Sequence, residues 1–119
     1  MAITLYGIRH CNTMKQAQAW LEEQALEFTF HDYKREGVDM DAVALWLEEV
    51  GAERLVNRRG TTWRKLSEVE QAACNGEDPG AIALVLSTNP SLIKRPVLAT
   101  PRGILVGFDP EQWSLTLLA

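Results

Sequence analysis

The spacing of apolar residues along this chain alternates between short runs and helical stripes, and those changes divide it into elements. The opening "ITLYG" is a short run with β-branched and aromatic residues that stops at a glycine, which predicts a strand over residues 3–7. From Asn12 or Thr13 to about Ala25 the apolar residues Met14, Ala17, Leu21 and Ala25 fall on one stripe, the pattern of a helix laid on a core. Thr13 with Gln16 has the form of a capping box at its start. "LEFTFHDY" then alternates Phe28, Phe30 and Asp32, with Asp32 on the outside, and predicts a second strand. A strand, a helix and a strand in about thirty residues make a βαβ unit, so the two strands should be parallel.

The pattern then turns helical and stays so. "GVDMDAVALWLEEVG" predicts a helix opened by Asp39 or Asp41 and closed by Gly51. "TTWRKLSEVEQAAC" and "DPGAIALVLSTNP" each predict a further short helix, the second stopping before Pro90. No strand signal occurs from Gly37 to Leu92. "PVLATPRGILVGF" restores two β runs around a Pro-Arg-Gly turn, and "DPEQWSLTLLA" is a last helix with Pro110 in its first turn. Trp20, Trp46 and Trp63 lie within helical patterns as core or half-core residues, and Trp113 should anchor the last helix to the sheet. The order βαβ, helical block, ββα predicts an α/β fold of thioredoxin-like form. It has a mixed four-stranded sheet in a single domain of residues 1–119, with a helical insertion of about residues 37–92.

Composition narrows the chemistry. A chain of 119 residues can bury a core without covalent staples. No apolar run reaches membrane-span length and no signal peptide is visible, so a cytoplasmic protein without a membrane partner is expected. Two cysteines, Cys11 and Cys74, make no disulfide framework, and Met14 stands where a CxxC motif would need its second cysteine. With His10 and His31 they match no zinc-ligand spacing, so no metal is expected. "PGAIALVLSTNP" has no G-x-G-x-x-G or phosphate-loop form, which removes support for a nucleotide. The net charge of −4 argues against nucleic acid. Ten of the sixteen acids lie between Glu22 and Glu53 and five of the twelve bases between Arg54 and Lys65, so a local cationic site in an acidic chain points to a small anion.

Cys11 carries the candidate chemistry. In "GIRHCNTMK" it stands where the first strand gives way to the first helix. The first amides of a helix lack intrahelical partners, and with the helix dipole they favour negative charge. A thiol placed there ionises more readily, and the thiolate is the nucleophile. Arg9 and Lys15 add positive charge, as would a protonated His10. A free cysteine is more commonly a small buried filler. The polar and basic neighbours Arg9, His10, Asn12 and Lys15 oppose that here, whereas Cys74, before an Asn-Gly turn at a helix end, reads as structural.

With "YGIRHCNTMKQAQAWL", "NRRGTTWRKL", "LIKRPVLATPRGILVGF" and "DPEQW" in this order, the chain resembles the arsenate reductase (ArsC) family, most of all its YffB branch. The resemblance implies a thioredoxin-like core with a helical insertion. It makes Cys11 the nucleophile, Arg95 the contact to an oxyanion or covalent adduct, and Pro96 the cis-proline beside the active cysteine. It implies an anion-binding arginine in "NRRGTTWRKL", Arg59 by preference or Arg58, with Lys15, Asn12 and Thr13 in the anion-binding loop. Phe108 stands near where arsenate reductases of this type carry a further arginine, and Gly7 where they carry an activating histidine. The branch therefore implies a glutathione-dependent thiol oxidoreductase, with glutathione as co-substrate and glutaredoxin as a possible partner; a monomer is expected. The alternatives are an arsenate reductase and, in another class, an Spx-like regulator that binds RNA polymerase.

Overall fold

Four strands form one mixed sheet of order β2-β1-β3-β4 in the computed structural model, which describes residues 1–119. β1 (Thr4–Gly7) and β2 (Thr29–Asp32) are parallel, with Tyr6 opposite His31 and Gly7 opposite Asp32. β3 (Val97–Thr100) lies antiparallel to β1 with Val97 opposite Tyr6, and β4 (Gly103–Val106) closes a hairpin with β3 across Pro101 and Arg102. The four strands, the parallel β1–β2 pair and the β3–β4 hairpin are those the sequence predicts. The chain divides into two compact units, residues 1–33 with 95–119, and residues 34–94.

In the first unit, α1 (Asn12–Glu23) and α8 (Pro110–Leu117) bury Met14, Ala17, Leu21, Trp113 and Leu117 with Ile3, Leu5, Leu98 and Leu105 of the strand segments. Trp113 is fully buried, donates its indole N–H to the Gly107 carbonyl at 3.1 Å, and meets Trp20 and Phe108 edge-on. Arg102 at the hairpin turn donates one guanidinium nitrogen to the carbonyls of Thr116, Leu117 and Ala119, so a cation satisfies the carbonyl end of α8.

α1 ends earlier than its apolar stripe. Ala25 is exposed and left-handed (φ 56°), and the amides of Ala25 and Leu26 donate to the carbonyls of Glu22 and Leu21. This is a Schellman turn with alanine at the position glycine normally fills. Ala25→Gly should relieve the left-handed Cβ strain and raise the unfolding free energy by roughly 0.5–1 kcal/mol after the entropy cost of glycine. A urea midpoint that stays put or falls would show that the turn carries no such strain. The helix start also differs from the predicted box: Cys11 is the N-cap residue, and no side chain makes a cap hydrogen bond there. Asp32, expected outside, is 5% exposed, and an ion pair to Arg9 Nε at 3.6 Å offsets the cost of burying its carboxylate.

The second unit is helical. It contains α2 (Tyr33–Glu36, whose first residue belongs to the other unit), α3 (Met40–Val50), α4 (Ala52–Leu55), α5 (Thr61–Lys65), α6 (Glu68–Asn75) and α7 (Pro79–Thr88), then a 3-10 turn at Pro90–Leu92. Asp39 caps α3 through the Asp41 amide, and Gly51 (φ 85°) ends it, as the sequence predicts. α3 and α6 both pack on α7, and Trp46 is buried while Trp63 is half-buried. The expected single helix over "TTWRKLSEVEQAAC" is two, α5 and α6. Ser67 and Glu70 form a reciprocal capping box that starts a new helix in the middle of the run.

Candidate active site

Sheet geometry brings three chain segments to one end. β1 and β2 both run toward Gly7 and Asp32, which are paired, and β3 begins opposite Tyr6 at that end. The Cys11 turn leaves from the middle strand, Tyr33 follows Asp32 on one side, and Arg95 with Pro96 leads into Val97 on the other. The Arg95–Pro96 bond is cis, and the Pro96 carbonyl accepts from the Gly107 amide at 2.8 Å.

The turn is tightly specified by its residues. Gly7 is required by the close approach of α1: a Cβ there would lie 2.3 Å from Met14 Sδ. Ile8 is buried, and Arg9 is drawn along the sheet to Asp32, its guanidinium 5.7 Å from the Phe30 ring centroid. His10 is left-handed (φ 71°), a conformation histidine tolerates better than most residues. Cys11 follows in extended conformation, and its carbonyl accepts the Lys15 amide at 3.1 Å, the first bond of α1.

The half-buried Cys11 sulfur replaces an oxygen cap over the first turn. Burial raises its pKa, but the amides of Met14 and Thr13, the Arg95 charge and the Thr13 hydroxyl together hold the thiol below its ordinary value. The side-chain cation that lowers the thiol is therefore Arg95. Arg9 is engaged by Asp32, and Lys15 stands exposed on α1. Asn12 is exposed at the first helical position, and Thr13 is half-buried against the sulfur.

Within the helical unit, Arg58 donates through Nε to Asn75 Oδ1 and through Nη2 to the Cys74 carbonyl, both at 3.1 Å, and lies over the Trp63 ring. Its charge thus sits on the carboxyl end of α6. Arg59 is exposed, and its amide donates to Asn57 Oδ1 at 3.1 Å. Cys74 is buried, and burial followed by Glu70 pushes its pKa up against the lowering by Arg58, as suits a packing residue.

A family model described as the ArsC family matches residues 6–115. A solved structure described as a YFFB protein is 41% identical, covers 97% of this chain and 98% of its own, and superposes with a TM-score of 0.88. An arsenate reductase (ArsC) related protein from Brucella melitensis is 43% identical over 97% of this chain and 93% of its own, with a TM-score of 0.70. A Haemophilus influenzae protein described as uncharacterized is 38% identical over 93% of this chain and 95% of its own length. The global transcriptional regulator Spx 1 of Oceanobacillus iheyensis is 25% identical over 92% of this chain and 82% of its own. With the sheet order, the cysteine at the first helix and the matched length taken together, the chain belongs to the ArsC family, as an arsenate reductase-related protein of thioredoxin-like fold.

Proposed function

We propose that the chain is a glutathione-dependent thiol oxidoreductase that works through Cys11 alone. The observation that supports this best is the Cys11 thiol, half-buried over the first turn of α1 and held below its ordinary pKa by two amides and Arg95. The Cys11 thiolate attacks one sulfur of a disulfide, forms a mixed disulfide and releases the other half as a thiolate. A glutathione thiolate then attacks the half held on Cys11, freeing Cys11 as thiolate and forming a glutathione mixed disulfide; a second glutathione thiolate displaces that half as thiolate and leaves oxidised glutathione, so two glutathione thiols are oxidised for each disulfide reduced. Arg95 receives a carboxylate of glutathione through charge-assisted hydrogen bonds.

The test compares alkylation of the two cysteines as pH is raised, followed by mass spectrometry after exposure to oxidised glutathione. Only the thiolate reacts, so Cys11 should become reactive at lower pH than a free thiol, while the buried Cys74 lags behind it. One glutathione, on Cys11, is the expected adduct. A Cys11 that titrates as a free thiol and takes no glutathione would end this proposal. Arg95 suits an oxyanion as well as a carboxylate, which favours arsenate reduction as the second reading. Steady-state arsenate turnover with glutathione and glutaredoxin separates the two.

A further inference from the structure

Folded proteins pair nearly all their buried side-chain polar atoms, and leaving one unpaired costs about 1–3 kcal/mol. The Tyr33 hydroxyl is the one buried side-chain oxygen or nitrogen of this chain without a hydrogen-bond partner, on a residue only 3% exposed. A phenylalanine would fill the same space without that cost.

The residue opens α2 directly after β2, at the end of the sheet where the Cys11 turn leaves β1. Tyr33 directly follows Asp32, whose partner across the ladder is Gly7, so it stands beside the strand that delivers Cys11. Its ring stacks on Tyr6 with centroids 6.3 Å apart, and Tyr6 in turn pairs with Val97, two residues after Arg95. Burial, followed by the Tyr6 hydroxyl, drives the phenol upward against the opposing pull of Arg95, so it remains a neutral O–H at any working pH. The same guanidinium lowers the Cys11 thiol. One cation thus acts on a nucleophilic sulfur and on an unpaired neutral donor at the same end of the sheet.

We propose that the Tyr33 hydroxyl is a ligand-binding group of the Cys11 site, donating a hydrogen bond to a carboxylate oxygen of the glutathione-type co-substrate that Arg95 holds. A carboxylate has more acceptor positions than one guanidinium fills, and the phenol supplies a further donor. The hydroxyl is buried, so its contact with a carboxylate oxygen requires the site to open around Tyr33 on binding. That favours ligands carrying a carboxylate over those without one. The inference rests on the glutathione-dependent reading of Cys11.

Tyr33→Phe tests it on the full chain. The second-order rate of adduct formation at Cys11 is measured by mass spectrometry with oxidised glutathione and with bis(2-hydroxyethyl) disulfide, which has no carboxylate. The thermal midpoint is read alongside. The variant should react about ten-fold more slowly with oxidised glutathione, the worth of one charge-assisted hydrogen bond. Its rate with the neutral disulfide should be unchanged, and its midpoint should hold or rise because the unpaired group is gone. Equal rates of variant and wild type with oxidised glutathione would overturn the proposal, as would equal losses with both disulfides or a lowered midpoint, the mark of a hydroxyl with a purely structural partner. On the wild-type chain, esterifying the glutathione carboxylates should remove its advantage over the neutral disulfide; an ester that reacts as fast as the acid is a second overturning result. A wild type that takes no glutathione from either removes the underlying reading, and this inference with it.

Discussion

Cys11→Ser should leave a folded chain that forms no glutathione adduct, with thiol-exchange activity down by at least roughly 10³-fold, to the uncatalysed background. A serine hydroxyl stays protonated where the thiol ionises, so neither the amides of Thr13 and Met14 nor Arg95 can make it a nucleophile. The same substitution should not destabilise the fold. Residue 11 is the N-cap of α1 and currently makes no cap hydrogen bond, and serine is among the best residues at that position. An unfolding midpoint equal to the wild type or a few degrees higher, with activity lost, is the expected pair of results. The fold would thus give up a better helix cap to keep a sulfur there, as active sites commonly do. Residual turnover above about a tenth of wild type would show that the chemistry lies elsewhere.

Trp113→Ala should cost about 3–5 kcal/mol of unfolding free energy, a large part of the 5–15 kcal/mol typical of a domain. Trp113 is fully buried at the junction of α8 with the sheet, edge-on to Phe108 at 4.9 Å and to Trp20 at 5.8 Å. Truncation leaves a cavity among Leu5, Leu98 and Leu105 and strips the Gly107 carbonyl of its 3.1 Å donor. Urea unfolding followed by the fluorescence of Trp20, Trp46 and Trp63 measures the loss. Trp113→Phe should fall between, because it keeps most of the apolar area and still orphans the carbonyl. A loss under about 1 kcal/mol for the alanine variant would mean that the site collapses or that the helix is not anchored there.

The features legible in the sequence were those with local causes. Asp39 and Gly51 bound α3 because a cap and a left-handed glycine act within a turn of themselves, and Pro110 marks the start of α8 in the same way. The strand runs around Pro101 and Arg102 form the hairpin their length requires. The break between α5 and α6 was legible too, in Ser67 and Glu70, but helix-forming residues on both sides hid it. Ala25 was not legible, since nothing local says that an alanine will turn left-handed. The Leu26 amide reaches back to Leu21, and the chain must then enter β2. Likewise the ion pair of the buried Asp32 needs Arg9, which the parallel pairing of β1 with β2 brings beside it.

The candidate site divides along the same line. Cys11 is marked by its place between a strand and a helix, and the lowered thiol agrees with that placement. The role of Arg95 could not come from local pattern, because the sheet alone brings it near residue 11; the family resemblance supplied it. Arg9 and Lys15 flank Cys11 in sequence and were expected to add charge there, yet Arg9 pairs with Asp32. The Tyr33 hydroxyl is recognisable only once the packing around it is known.

The tight fit of Gly7 against Met14 reaches beyond folding. Positions 7 and 14 are linked in their substitutions: placing any side chain at the first requires trimming or moving a fully buried thioether at the second. A lineage adding an imidazole or another group beside the nucleophile at position 7 would pass through a strained single-change ancestor, unless residue 14 had already become small.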